Sequence, residues 1–184
     1  MSTDFVARLK ALERVLMEVP ELTYAGNLVL RTPAAEVTVD EGKDIASRLE
    51  DALLKYRAIT GTGRGLAAPQ IGVGKAVFIT YLEDKIEVFL NPRIVGKSGE
   101  TSMYKELCMS VGVVAADVER PQWIVLAWTD LEGNAHEEKF DSFKARLYQH
   151  EEAHLRGLLN IDEAVSGGIE LANFDPLKEQ LRPK

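Results

Sequence analysis

His150-Glu151-Glu152-Ala153-His154 places two imidazoles four residues apart with a carboxylate directly after the first. On a helix, positions i and i+4 lie one turn apart on one face, so both rings can reach a single metal ion while Glu151 stays beside a water bound to it. That is a hydrolytic metal site in outline. The flanks support the helix: Asp141-Ser142 reads as a capping pair, Phe143, Leu147, His150 and His154 fall on one stripe, and Gly157 ends the segment. The spacing therefore predicts a helix whose inward face carries the histidines. Taken alone, the motif describes a pair of hydrogen-bonded core histidines equally well, and two imidazoles leave a divalent ion short of a third protein ligand.

Cys108 is the only cysteine of the chain. A single thiol excludes an intrachain disulfide, suits a reducing cytoplasm and is free to be a metal ligand, although alone it would read as a buried structural residue. At 184 residues, 46% apolar and 28% charged, the chain is long enough for one domain with a full core. A net charge of −7 with no Lys/Arg cluster argues against general affinity for nucleic acid or an anionic membrane. The first twenty residues lack the apolar core of a signal peptide and carry Asp4, Glu13 and Glu18, and no stretch approaches the ~20 apolar residues that span a bilayer. The expectation is one cytoplasmic domain over residues 1–184.

Phe5, Leu9, Leu12 and Leu16 recur at helical spacing, with Ser2, Thr3 and Asp4 as candidate caps and Pro20 as the stop, so residues 4–19 read as an amphipathic helix packed on the body or on a partner. A second helical pattern runs through Ile45, Leu49, Ala52, Leu53 and Tyr56 into Gly61-Thr62-Gly63-Arg64-Gly65, a loop or close-approach backbone segment. Runs from Lys75 to Tyr81 and from Lys85 to Asn91 form a hairpin across Glu83-Asp84, and Gln122 to Asp130 leads through a turn at 131–134 into a short strand from Ala135 to Phe140. Trp123 and Trp128 fall on opposite strand faces as core or interface, and His136 reads as solvated. Strands followed by one buried helix predict an α+β fold.

Gly65-Leu66-Ala67-Ala68-Pro69-Gln70-Ile71-Gly72, Glu106-Leu107-Cys108-Met109-Ser110 and Gln149 to Gly157 together resemble, in order and spacing, the three signature motifs of the peptide deformylases. Asn91-Pro92, Arg120, Ala145-Arg146 and the segment from Asn27 to Val37 extend the likeness over about residues 27–163. The resemblance implies antiparallel sheets packed around a central helix carrying the motif, with residues 1–26 a helical N-terminal extension. It makes Cys108 the third ligand beside His150 and His154, with one divalent ion per chain: ferrous iron in the cell, zinc or nickel as alternatives. The implied reaction removes the formyl group from formyl-methionyl or related peptides and releases formate. Glu151 would serve as general base and then general acid, and the Gln70 side chain and the Met109 N–H would hold the oxyanion. Arg64, Gly65 and Leu107 would border the substrate. The implied partner is a formylated peptide or nascent chain, which is compatible with work beside the ribosome, with no direct nucleic-acid or membrane contact. The oligomeric state is left open.

Four residues depart from the usual pattern of that family. Leu107 stands for a glycine where the substrate backbone passes, and Ala153 stands for an aspartate that could orient a ligand. Arg64 replaces an aliphatic residue of the methionine pocket, and a guanidinium suits a carboxylate better than a thioether. Gly112 replaces a proline. Glu106 and Arg120 are read as a pair that steadies the ligand strand. A deformylase-like protein that binds N-termini or a partner, or an amidase for another N-acyl substrate, are the alternatives. A zinc endopeptidase fits less well, because it leaves Cys108 and the Gly65–Gly72 segment without a role.

Overall fold

Thr3–Glu18 form helix α1, the first element of a computed structural model that describes residues 3–176 and 178–183, with side chains over 5–176 and 178–182. The candidate caps Ser2, Thr3 and Asp4 lie outside those side chains. The buried stripe of α1 is rotated from the expected one. Phe5 and Val15 are buried, with Val19 just beyond, whereas Leu9 and Leu16 are exposed. The reason is Arg8, which occupies an inward position because its guanidinium donates to the carbonyls of Ala172 and Phe174 at 3.1 Å each.

Helix α2 (Val39–Thr60) starts at a capping box in which Thr38 and Glu41 satisfy each other's backbone N–H groups, and stops at Gly61, whose φ of 70° suits the left-handed cap. Its buried residues Ile45, Leu49, Ala52 and Leu53 pack with Leu66, Val77, Ile79 and Leu90 into one of the main apolar clusters.

The first sheet contains β1 (Gly65–Ala67), β2 (Val77–Leu82) and β3 (Lys85–Lys97), joined by the expected hairpin with Glu83 and Asp84 at φ of 50° and 57°, the positive pair that matches strand twist in a two-residue turn. β3 does not end at Asn91. A bulge there, with Asn91 at φ 49° and its amide bonded to both Val37 N and Val37 O, lets the strand bend and continue to Lys97.

The second sheet is built from β4 (Thr101–Leu107) and β5 (Val114–Pro121), which the hydropathy pattern does not reveal. The two strands pair in register from Thr101↔Pro121 to Leu107↔Ala115, and the inward residues of β4 are Ser102, Tyr104 and Glu106. A strand whose buried face is mostly polar carries no apolar alternation to read. β6 (Trp123–Thr129) and β7 (Ala135–Asp141) complete the first sheet, in the antiparallel order β1-β2-β3-β6-β7.

Helix α3 (Ser142–Leu155) follows β7 without a loop, through Ser142 at φ 53°. Asp141 holds the N-cap position but makes no side-chain capping bond, so the capping pair is a positional match only. Nor is α3 apolar on one stripe. Arg146, Tyr148, Gln149, Glu151 and Ala153 are buried with the histidines, because the helix touches strands of both sheets. β8 (Ala164–Leu171) and β9 (Arg182–Pro183) finish the second sheet in the order β8-β5-β4-β9. Among the described residues no helix is long and apolar enough to cross a membrane.

Candidate metal centre

Two consecutive turns of α3 carry His150 and His154, and β4 runs out at Leu107 so that Cys108 arrives opposite them. One ligand atom from each of Cys108, His150 and His154 lies within 4.8 Å of the others, and all three residues are buried. The Cys108 Sγ stands 3.4 Å from His154 Nε2. Each ring has its other nitrogen engaged: His154 Nδ1 with Leu158 O at 2.9 Å and His150 Nδ1 with Glu106 Oε2 at 2.8 Å. Both Nε2 atoms are thus left for the centre, in the arrangement that orients imidazole ligands. Burial resists ionisation of the Cys108 thiol, but the two imidazoles outweigh it and bring its pKa down to about 5. A thiolate and two oriented imidazoles form a soft donor set suited to a divalent transition metal, with room for a further ligand from water or substrate.

Glu106 is the keystone behind the ligands. Arg120 grips it through Nε–Oε1 at 2.7 Å and Nη2–Oε2 at 2.9 Å, and Arg146 Nη1 adds a bond at 3.1 Å. The Glu106–Arg120 pair expected from the sequence is therefore present, inside the protein. Burial alone would raise the Glu106 carboxyl's pKa; Arg120, with His150 adding to it, holds it well below the usual carboxylate range. Arg146 also bonds Ser102 O at 2.6 Å and Val118 O at 3.1 Å, tying α3 to β4 and β5.

Glu151, Gln70 and Met109 border the cleft that opens on these ligands. The Glu151 Oε2 is buried and has no hydrogen-bond partner, and burial pushes the carboxyl up to about 7. Gln70 accepts from Ala67 N at 2.9 Å, which turns its Nε2 toward Cys108 Sγ at 3.5 Å and Ser110 Oγ at 3.3 Å. Met109 opens a short 3-10 turn, where the first amides have no partner within the helix. Gly65 passes so close to Glu151 that a Cβ there would come within 2.3 Å of its Oε1. Arg64 lies over the Phe143 ring, its guanidinium carbon 4.6 Å from the centroid, and Leu107 is half-buried in the cleft wall.

The polypeptide deformylase profile matches residues 19–168. The chain belongs to the polypeptide deformylase family. It is 39% identical over 145 residues to the peptide deformylase of Pseudothermotoga lettingae, covering 78% of this chain and 82% of that protein. Against the peptide deformylase of Borreliella burgdorferi it is 37% identical over 147 residues, covering 77% and 86%. Its fold is similar to the crystal structure of the Thermotoga maritima peptide deformylase, with a TM-score of 0.73 at 31% identity over 79% of this chain and 97% of the other. A Synechococcus elongatus peptide deformylase, solved in complex with actinonin, gives 0.70 at 34% identity, covering 79% and 78%.

Two departures from the deformylase pattern have a structural account. Gly112 sits at φ 66°, which a proline cannot adopt, and a Cβ there would meet Leu12 of α1 at 3.2 Å. The glycine thus goes with a helix that lies outside the family match. Ala153 costs neither histidine its outer partner, since Leu158 O and Glu106 supply both.

The resemblance includes Ala145-Arg146 but assigns Arg146 no part in the centre, although a charged residue one turn before His150 on the same helix face is a readable signal. Tyr104, Tyr56 and Arg8, which also line the cleft, come from a polar-faced strand and from helices and give no such signal. His136 is not simply solvated: it stacks on Trp128 and its Nε2 lies 2.7 Å from Asp130 Oδ2. It lies outside the centre.

Proposed function

We propose that this chain is a metal-dependent hydrolase that removes the N-terminal formyl group from formylated peptides or nascent chains in the cytoplasm and releases formate. The observation that carries the reading is the convergence of one ligand atom each from Cys108, His150 and His154, with Cys108 and His150 in the wall of a cleft that Glu151, its buried Oε2 without a hydrogen-bond partner, also lines. A divalent ion held by the three residues supplies Lewis-acid polarisation of the formyl oxygen and lowers the pKa of water. Ferrous iron is the proposed ion in the cell, with zinc or nickel able to take the same donors.

Glu151 takes the proton of the attacking water and returns it to the departing amine. A carboxyl near 7 is matched to both halves of that task at neutral pH. Gln70 Nε2 and the Met109 N–H face the carbonyl oxygen as negative charge develops, and losing one such donor typically costs on the order of 100-fold or more in turnover. Gly65 keeps β1 flush against Glu151, so an extended peptide can lie along the strand edge, with Leu107 on the opposite side. Residues 1–184 are proposed to act as one unit, with α1 closing part of the cleft through Arg8.

The test is formate release from formyl-Met-Ala-Ser by protein purified anaerobically and loaded with Fe²⁺. Turnover is expected in the native protein, together with its loss in Glu151→Ala at unchanged metal content. Metal-loaded native protein that releases no formate from any formylated peptide would overturn the proposal.

A further inference from the structure

Arg64 immediately precedes Gly65, so it is the first side chain reached along β1 from the Glu151 carboxylate. Its guanidinium is held between two rigid elements: it lies over Phe143 of α3 and faces the Tyr104 phenol of β4. The other cations of the cleft are accounted for. Lys105 pairs with Asp117 at 3.0 Å and with Glu170 at 2.9 Å, and Arg146 is bound to Glu106. Among the described residues neither Arg64 nor Arg8 forms an ion pair; Arg8 is engaged by two carbonyls, whereas Arg64 has only aromatic company. A half-buried guanidinium held by a ring face and a phenol, with no anion, keeps the capacity to take a carboxylate, because those contacts answer its charge less fully than a paired ion would.

We infer that the cleft contains a carboxylate-accepting subsite centred on Arg64, so that the preferred substrates are formylated peptides bearing a carboxylate near the formyl group. The inference rests on the deformylase reading and names its substrate class. Phe143 lies two helical turns from His150, about 10 Å along the axis. That is a distance one residue's backbone and side chain can bridge from the reacting amide to the guanidinium. Arg64 would meet the carboxylate with paired N–H donors, while a thioether in the same place would gain dispersion contacts and leave the cation unanswered. The carboxylate can come from the side chain of the first residue or from the C-terminus of a short substrate.

The experiment compares formyl-Glu-Ala-amide, formyl-Met-Ala-amide and formyl-Met-Ala as the free acid, with native protein and with Arg64→Val and Arg64→Lys. Formate release gives kcat/KM, and calorimetric binding to metal-loaded Glu151→Gln gives Kd without turnover. A carboxylate-bearing peptide is expected to be favoured over formyl-Met-Ala-amide by about 10- to 100-fold, the usual range for a hydrogen bond to a charged group. Arg64→Val should abolish the preference and Arg64→Lys should keep part of it. Preference for the glutamyl peptide assigns the side chain as the source, and preference for the free acid assigns the C-terminus. Equal or better use of formyl-Met-Ala-amide, unchanged by Arg64→Val, would overturn the subsite while leaving the deformylase reading intact. If no peptide releases formate, that reading fails, and the Kd comparison still decides whether the subsite exists.

Discussion

Gly65 and Arg120 show how single residues control the centre without touching substrate chemistry. A Cβ at residue 65 would overlap Glu151 Oε1 at 2.3 Å, so Gly65→Ala must push either the strand or the carboxylate aside. We expect kcat to fall by at least about tenfold, in line with the cost of small misplacements of a catalytic group, with metal content preserved. Turnover equal to the native protein's would show that the base tolerates displacement. Arg120→Ala removes two of the four side-chain hydrogen bonds to the buried Glu106 carboxylate and leaves it only Arg146 and His150. Removing one member of a buried pair typically costs about 3–5 kcal/mol, and His150 loses a firmly held acceptor. Both the melting temperature and the metal stoichiometry should drop. Unchanged values for both would mean that the pair is structurally idle. Glu106, Cys108, His150 and Glu151 are all legible as residue types in motifs. That Arg146 joins Arg120 on the same carboxylate is not, because the two lie on different elements far apart in sequence.

At the scale of elements, α3 and the hairpin β2–β3 are readable from spacing and turn chemistry, whereas β4 and β5 are hidden by their function. β4 buries Ser102, Tyr104 and Glu106, and β5 buries Arg120 beside the small Ala115 and Ala116 and the single larger aliphatic Val118, so neither strand carries the run of large apolar residues that would announce it. α1 is readable as a helix but not in its rotation, since Arg8 takes an inward position to hold the tail after β8. Arg8→Ala should release that tail at a cost of about 1–3 kcal/mol for two hydrogen bonds. Faster amide exchange in residues 172–176 and quicker proteolytic clipping there would report it. Exchange identical to the native protein's would mean the guanidinium contributes no restraint.

Across the whole molecule, the Glu106 network couples stability to pH. Its carboxyl has a folded pKa below its unfolded one, so the unfolded state binds more protons as the solution is acidified. The stabilisation is complete above the ordinary carboxylate range and fades as pH falls through it toward the depressed value. Thermal melts from pH 7 to pH 3 should therefore show the largest gap between native protein and Glu106→Gln at pH 7, narrowing in acid. A gap that stays constant would assign the stability to packing instead. By itself the sequence determined the histidine helix, the Cys108 thiol, the family motifs and the α+β class, because these depend on local spacing and residue chemistry. Tertiary structure alone decided the second sheet, the rotation of α1, the Arg146 contact and the approach of Arg64 to Phe143. Each of those is set by what a side chain meets across the fold, and neither periodicity nor propensity along the chain records such meetings.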